Sequence, residues 1–137
     1  MSNRGWFPVR RSILRDPHWL ERPVTRGQAK LDLVGLAEYE DTEVTAHGGK
    51  KIPLRRGQLF TSLQWLATRW GWHRSKVRRF LDLLAENKED LYCIECVAVR
   101  DSKWNPKENP EALGTKITFI NYNVLHDQHL SLPEDML

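Results

Sequence analysis

Between His73 and Glu86 the chain places Arg74, Ser75, Lys76, Arg78 and Arg79 within two helical turns, ahead of Asp82. At about 100° per residue, Val77, Phe80, Leu81 and Leu84 form one apolar stripe. Ser75, Arg79 and Asp82 then point directly away from that stripe. Lys76 and Arg78 flank the outward face, and Arg74 lies nearer its edge. Guanidinium, ammonium and hydroxyl groups in this arrangement suit a polyanion. An Arg can fork onto guanine O6 and N7, Ser or Lys can hold phosphate oxygens, and the helix N-terminus adds partial positive charge. A carboxylate is repelled by phosphates, so Asp82 marks where contact with a DNA major groove is expected to end. Leu83 is exposed by the same wheel. The plainer reading of these charges by themselves is the solvated face of an amphipathic helix.

A second basic group, Lys50, Lys51, Arg55 and Arg56, surrounds a turn and a short strand. These side chains could touch phosphate or form a solvated edge. Net charge is only +3, but it is unevenly spread. Up to Phe80 there are 16 Lys and Arg against 7 Asp and Glu; from Leu81 onward there are 5 against 11. A basic front and an acidic back fit one surface that meets a polyanion.

Other chemistry finds less support. Cys93-Ile94-Glu95-Cys96 and His126-Asp127-Gln128-His129 contain four potential zinc ligands. Residues an odd number apart on a strand face opposite sides, however, and the 29 residues between Cys96 and His126 match no standard finger spacing. Packed strand cysteines are the expectation, with no metal and no cofactor. There is no phosphate-binding glycine loop of either common kind, no nucleophile motif and no carboxylate pair, which argues against an enzyme. Two cysteines are too few for a secreted disulfide framework. With no secretory signal and no apolar run of membrane length, a cytoplasmic protein without a membrane partner is expected.

The elements that must position these residues follow from local signals. Trp6 to Leu20 reads as an arm containing a short helix ended by Asp16-Pro17. Thr25-Arg26-Gly27-Gln28 forms a capping box, after which Ala29, Leu33, Leu36 and Ala37 make a buried helical stripe. That helix is expected to fade between Glu38 and Asp41. His47-Gly48-Gly49-Lys50 turns between strands Glu43–Ala46 and Lys51–Leu54, and Gln58-Leu59-Phe60 is a further strand. Thr61-Ser62-Leu63-Gln64 reads as a second capping box, with Phe60 and Trp65 as its hydrophobic staple. Leu63, Leu66, Ala67 and Trp70 share a face, and Gly71 stops this helix in a left-handed conformation. His73 then stands where Ser would be the better N-cap of the following helix. Strands are expected over Leu91–Val99 and Lys116–Ile120, joined by a loop from Arg100 to Thr115. A short helix, a tight turn, a longer helix and a hairpin describe an α+β winged helix-turn-helix, with a three-helix core, a β-hairpin wing and a further small hairpin. Residues 1–24 form its docked arm, 25–122 the domain and 123–137 a tail.

The run from Leu59 to Leu81, with its Trp70-Gly71-Trp72 turn and Lys76-Val77-Arg78-Arg79-Phe80-Leu81, resembles the N-terminal winged-helix domain of DnaD-like replication-initiation (replisome organiser) proteins of phages and prophages. Gly5-Trp6, Arg26-Gly27-Gln28-Ala29 and Thr118-Phe119-Ile120-Asn121-Tyr122 add to the likeness, which extends from about Gly5 to Tyr122. The resemblance implies sequence-specific binding to double-stranded DNA at a replication origin in a bacterial cytoplasm. It also implies self-association and contact with replication proteins of phage or host in preparing that site for helicase loading. A transcriptional regulator and a winged-helix protein-interaction module are the alternatives on the same fold.

Overall fold

The computed structural model describes residues 8–100 and 113–126, and these fold as a mixture of α-helices and two small antiparallel sheets. The first helix, α1 (Arg26–Leu36), starts as its sequence dictates. Thr25 Oγ1 accepts the Gln28 N–H at 3.1 Å, while Gln28 Oε1 accepts the Thr25 N–H at 3.0 Å. Ala29, Leu33 and Ala37 are buried and Leu36 half-buried. The helix ends sooner than expected, because Ala37 turns extended and Arg11 donates to the Gly35 carbonyl at 3.2 Å.

Strands β1 (Thr42–Thr45) and β2 (Lys51–Leu54) pair antiparallel through a turn in which Gly48 and Gly49 have φ near 87° and 84°. Ala46 leaves the ladder and donates to the Lys50 carbonyl at 2.7 Å, so β1 lies one residue ahead of its expected place. Ala46, Ile52 and Leu54 are buried against Phe60, Val99 and Leu113. The second sheet has the order β3-β5-β4, from β3 (Gln58–Thr61), β4 (Ile94–Val99) and β5 (Gly114–Phe119). Its inner face presents Leu59, Ile94, Ile117 and Phe119 to the core.

Leu91 to Cys93 is a turn and not the start of β4. Asn87 Oδ1 accepts the Glu89 N–H and Asp90 Oδ1 the Tyr92 N–H, at 3.2 and 2.8 Å, so side chains compete here with the sheet ladder. The expected capping box at Thr61 and Gln64 is also displaced. Thr61 is the last residue of β3, Ser62 Oγ accepts the Trp65 N–H at 3.0 Å, and Gln64 donates to Thr68. With Ser62 as the cap, Phe60 and Trp65 do not occupy staple positions.

Helices α2 (Leu63–Trp70) and α3 (Arg74–Glu86) pack on α1 and the sheet. A short α4 (Tyr122–His126) crosses the expected domain boundary, anchored by buried Tyr122. Trp70, Trp72 and Phe80 meet edge-to-face with centroids 5.0, 5.3 and 6.0 Å apart at the centre of the core. The arm contains a 3-10 helix, Arg11–Arg15, which ends before Asp16-Pro17. Leu14 packs so closely on Gly35 that an added Cβ would lie 3.0 Å away. Trp6 and Phe7, Trp104 and most of the 100–115 loop lie outside the described residues. No helix among those described is long and apolar enough to cross a membrane.

One charge lies inside this core. Asp32 on α1 is 2% exposed. Its Oδ2 accepts from Arg69 Nε and Trp70 Nε1, both at 2.7 Å; its Oδ1 accepts from Arg69 Nη2 at 2.8 Å and Trp19 Nε1 at 3.0 Å. Burial pushes the carboxyl pKa up, but the hydrogen bonds from Arg69, Trp19 and Trp70 and the Arg69 charge outweigh it. The net result is a carboxyl below its ordinary value. Its contribution to stability is therefore complete above the ordinary aspartate range and is lost as pH falls through the lowered folded value. Asp32→Ala should cost about 3–5 kcal/mol at neutral pH, since it strands a mostly buried guanidinium. Asp32→Asn should be less stable at neutral pH but lose less on acidification. Urea unfolding at neutral and acid pH measures both.

Candidate nucleic-acid interface

The geometry of α3 is set by the three residues before it. Gly71 closes α2 with φ 70° and ψ 33°, and its N–H bonds to the Ala67 carbonyl. A side chain there would be strained twice over, because a Cβ would also fall 2.7 Å from Arg22 Cβ. Trp72 is buried, donating from Nε1 to the Val24 carbonyl at 2.9 Å, while the Val24 N–H reaches the Trp70 carbonyl at 3.0 Å. Arg22 holds the Thr68 carbonyl at 2.9 Å. The segment ahead of α1 thus straps the end of α2 and the turn that follows. His73 then caps α3, its Nδ1 accepting the Ser75 N–H at 3.2 Å.

Along α3, Val77, Phe80, Leu81 and Leu84 are buried, while Arg74, Ser75, Arg78, Arg79, Asp82 and Leu83 are exposed, as the wheel predicts. Among the described residues, no carboxylate forms an ion pair with Arg74, Arg78 or Arg79. Lys76 differs from its neighbours. It is half-buried, with its ammonium 4.2 Å from the centre of the Trp72 ring, a cation–π contact that draws it toward the turn.

Strand β4 runs beside this helix. The Cys96 thiol is pushed above its ordinary range by burial and by the Asp82 charge, with Arg78 acting in the opposite direction. Arg78 and Asp82 are thus close enough to Cys96 to act on its thiol, and α3 packs against β4. Cys93 is buried, with its Sγ 3.9 Å from the Ala85 carbonyl, whereas Cys96 is exposed as a residue and only its thiol is partly shielded from water. The described residues contain no group of three potential metal ligands. The side chain of His126 and all of His129 lie outside them.

The second basic group is divided among different environments. Arg55 and Lys51 are exposed, and Lys51 pairs with Glu43 at 3.7 Å across the β1–β2 ladder. Lys50 is half-buried at the turn. Arg56 is turned inward, with its guanidinium 5.5 Å from the centre of the Tyr122 ring. The hairpin itself packs on β3 and the distal ends of β4 and β5. The five residues singled out on α3 thus share one helix, while the hairpin cations belong to a separate element with other partners.

Sequence reasoning passed over Asp32, Arg69 and Arg22, which hold α2 in place. Asp32 carried a signal: it lies three residues after Ala29, within the apolar period of α1, where a carboxylate requires buried partners. Replacing Gly71 by Ala should cost about 1–3 kcal/mol through the positive φ and the Arg22 contact. Thermal denaturation measures the loss, and a neutral result would remove the turn as the device that aims α3.

No protein-family model, curated protein or solved structure matches this chain.

Proposed function

We propose that this chain binds double-stranded DNA sequence-specifically as a winged helix-turn-helix, with α3 in the major groove and the β4–β5 hairpin as the wing. The observation that carries the reading is the exposed face of α3. Arg74, Ser75, Arg78 and Arg79 stand free of ion pairs with described carboxylates, and Arg74 and Ser75 lie in the first turn, where the helix N-terminus adds partial positive charge. The order of elements supports it: a short helix, a three-residue turn, a longer helix and then an antiparallel strand pair. Arg78 and Arg79 serve as base or phosphate contacts, Arg74 and Ser75 as phosphate contacts, and Lys76 supports them from the turn. Lys50, Lys51 and Arg55 on the hairpin are secondary phosphate contacts. Arg56 is left out of this set because it stacks inward on Tyr122.

The biological setting, replication initiation in a phage or prophage within a bacterial cytoplasm, rests on the family resemblance of the Leu59–Leu81 run. Footprinting on the genome that encodes the chain tests it: an array of sites in an origin supports it, and a single palindrome over a promoter favours a transcriptional regulator.

Fluorescence anisotropy with a duplex at several salt concentrations tests the binding itself. Affinity should fall linearly on a log–log plot against salt as counterions are released. Arg78→Ala and Arg79→Ala should each weaken binding by about 1–3 kcal/mol, and Asp82→Asn should strengthen it. Unchanged affinity in both arginine variants, or no salt slope, would falsify groove docking.

A further inference from the structure

Helices are ordinarily capped by Ser, Thr, Asp or Asn, whose oxygens accept a first-turn N–H throughout the physiological pH range. Helix α3 is capped by an imidazole. His73 has extended backbone angles, φ −74° and ψ 148°, and its Nδ1 accepts the Ser75 N–H at 3.2 Å. The Ser75 hydroxyl lies 2.9 Å from the same nitrogen. Two donor-capable groups therefore converge on Nδ1, which must keep its lone pair to serve as the cap. The ring proton then belongs on Nε2.

Imidazole is the side chain whose charge ordinarily changes between about pH 5 and 8. A proton on Nδ1 turns the acceptor into a donor that faces the Ser75 N–H, and that interaction is lost. Charged residues at the turn include Arg74 and Lys76 on α3 itself, and Arg22, whose Cβ packs against Gly71, preceded by Glu21 in the same segment. No described carboxylate pairs with His73.

We propose that His73 is a proton-operated cap on α3, closed when neutral and open when protonated. Opening frees the first turn, which holds Arg74, Ser75 and Lys76. Lowering pH then loosens the part of the helix that the functional reading places on DNA; the consequence for binding rests on that reading, while the switch in the helix does not. The Ser75 hydroxyl, 2.9 Å from Nδ1, changes from donor to acceptor in that contact, so it is the Ser75 N–H that loses its partner.

Two readouts on the full chain separate these parts. In the uniformly 15N-labelled protein, the Ser75 amide resonance should move with the titration of the His73 ring. A Ser75 amide indifferent to that titration would overturn the proposal outright. In anisotropy at constant ionic strength, wild type should lose about fivefold in duplex affinity relative to His73→Ser between about pH 8 and pH 5.5. The serine variant keeps a cap that does not titrate there, and the comparison cancels the other four histidines. Parallel pH profiles for the two proteins, or a relative gain by wild type in acid, would overturn the link to binding and make the imidazolium at most a phosphate contact. If neither protein bound duplex at any pH while the Ser75 amide followed His73, the cap would stand and the groove reading would fall.

Discussion

The buried carboxylate of Asp32 is the constraint around which the rest is arranged. An ionised group so far from water is tolerated only where its lone pairs are filled. Here four N–H donors fill them, two from Arg69 and one each from Trp19 and Trp70. The donors come from the arm and from α2, and the acceptor from α1. None of the three can shift without leaving a buried polar group unpaired. Arg69 extends the node further, because its Nη2 also reaches the Leu14 carbonyl at 2.9 Å. A segment with exposed Val9 and half-exposed Ile13 is thereby held to the core by polar contacts more than by apolar burial.

Orientation passes from this node to the exposed face of α3 in a few steps. Trp70 donates to Asp32 and touches Trp72 edge-on; Trp72 in turn meets Phe80, which lies on α3. The indole N–H of Trp72 is tied to Val24, and Gly71 supplies the one backbone conformation that lets the chain reverse within this space. Because the aromatic groups are close-packed, α3 cannot rotate about its axis without breaking contacts at both ends of the chain of rings. The azimuth of Arg78 and Arg79 is thus a consequence of polar satisfaction at Asp32.

Much of this was legible locally. The Thr25 capping box, the Gly48-Gly49 turn, the stop at Gly71 and the outward wheel of α3 each depend on residues within a turn or two, and each lies where the sequence places it. The misplacements arise where two local rules compete. Thr61 satisfies a capping-box pattern, but pairing with Thr115 keeps it in β3 and passes the cap to Ser62. Leu91-Tyr92-Cys93 has strand composition, but Asn87 and Asp90 hold its backbone in turns. Long-range partners left no such trace. Nothing near Arg56 indicates that its guanidinium will stack on Tyr122, or that Arg22 will brace the end of α2.

The charge order of α3 runs against its own dipole. Arg74 and Lys76 stand in the first turn, where no acidic residue balances them, while Asp82 and Glu86 lie toward the C-terminal end. Within the terminal turns, at Arg74, Lys76 and Glu86, each such placement costs about 0.3–1 kcal/mol in an exposed helix. The helix forms because Val77, Phe80, Leu81 and Leu84 are buried, and tertiary packing outweighs the local penalty. Reversing the charges would stabilise the isolated helix without touching the core. A sequence that keeps cations at the positive end, free of described carboxylate partners, has instead retained an electrostatic deficit that an external anion relieves. Phosphates presented in register along a groove would relieve it at several positions together. A single small anion could do so at only one, which is why the partner proposed for this face is a polymer.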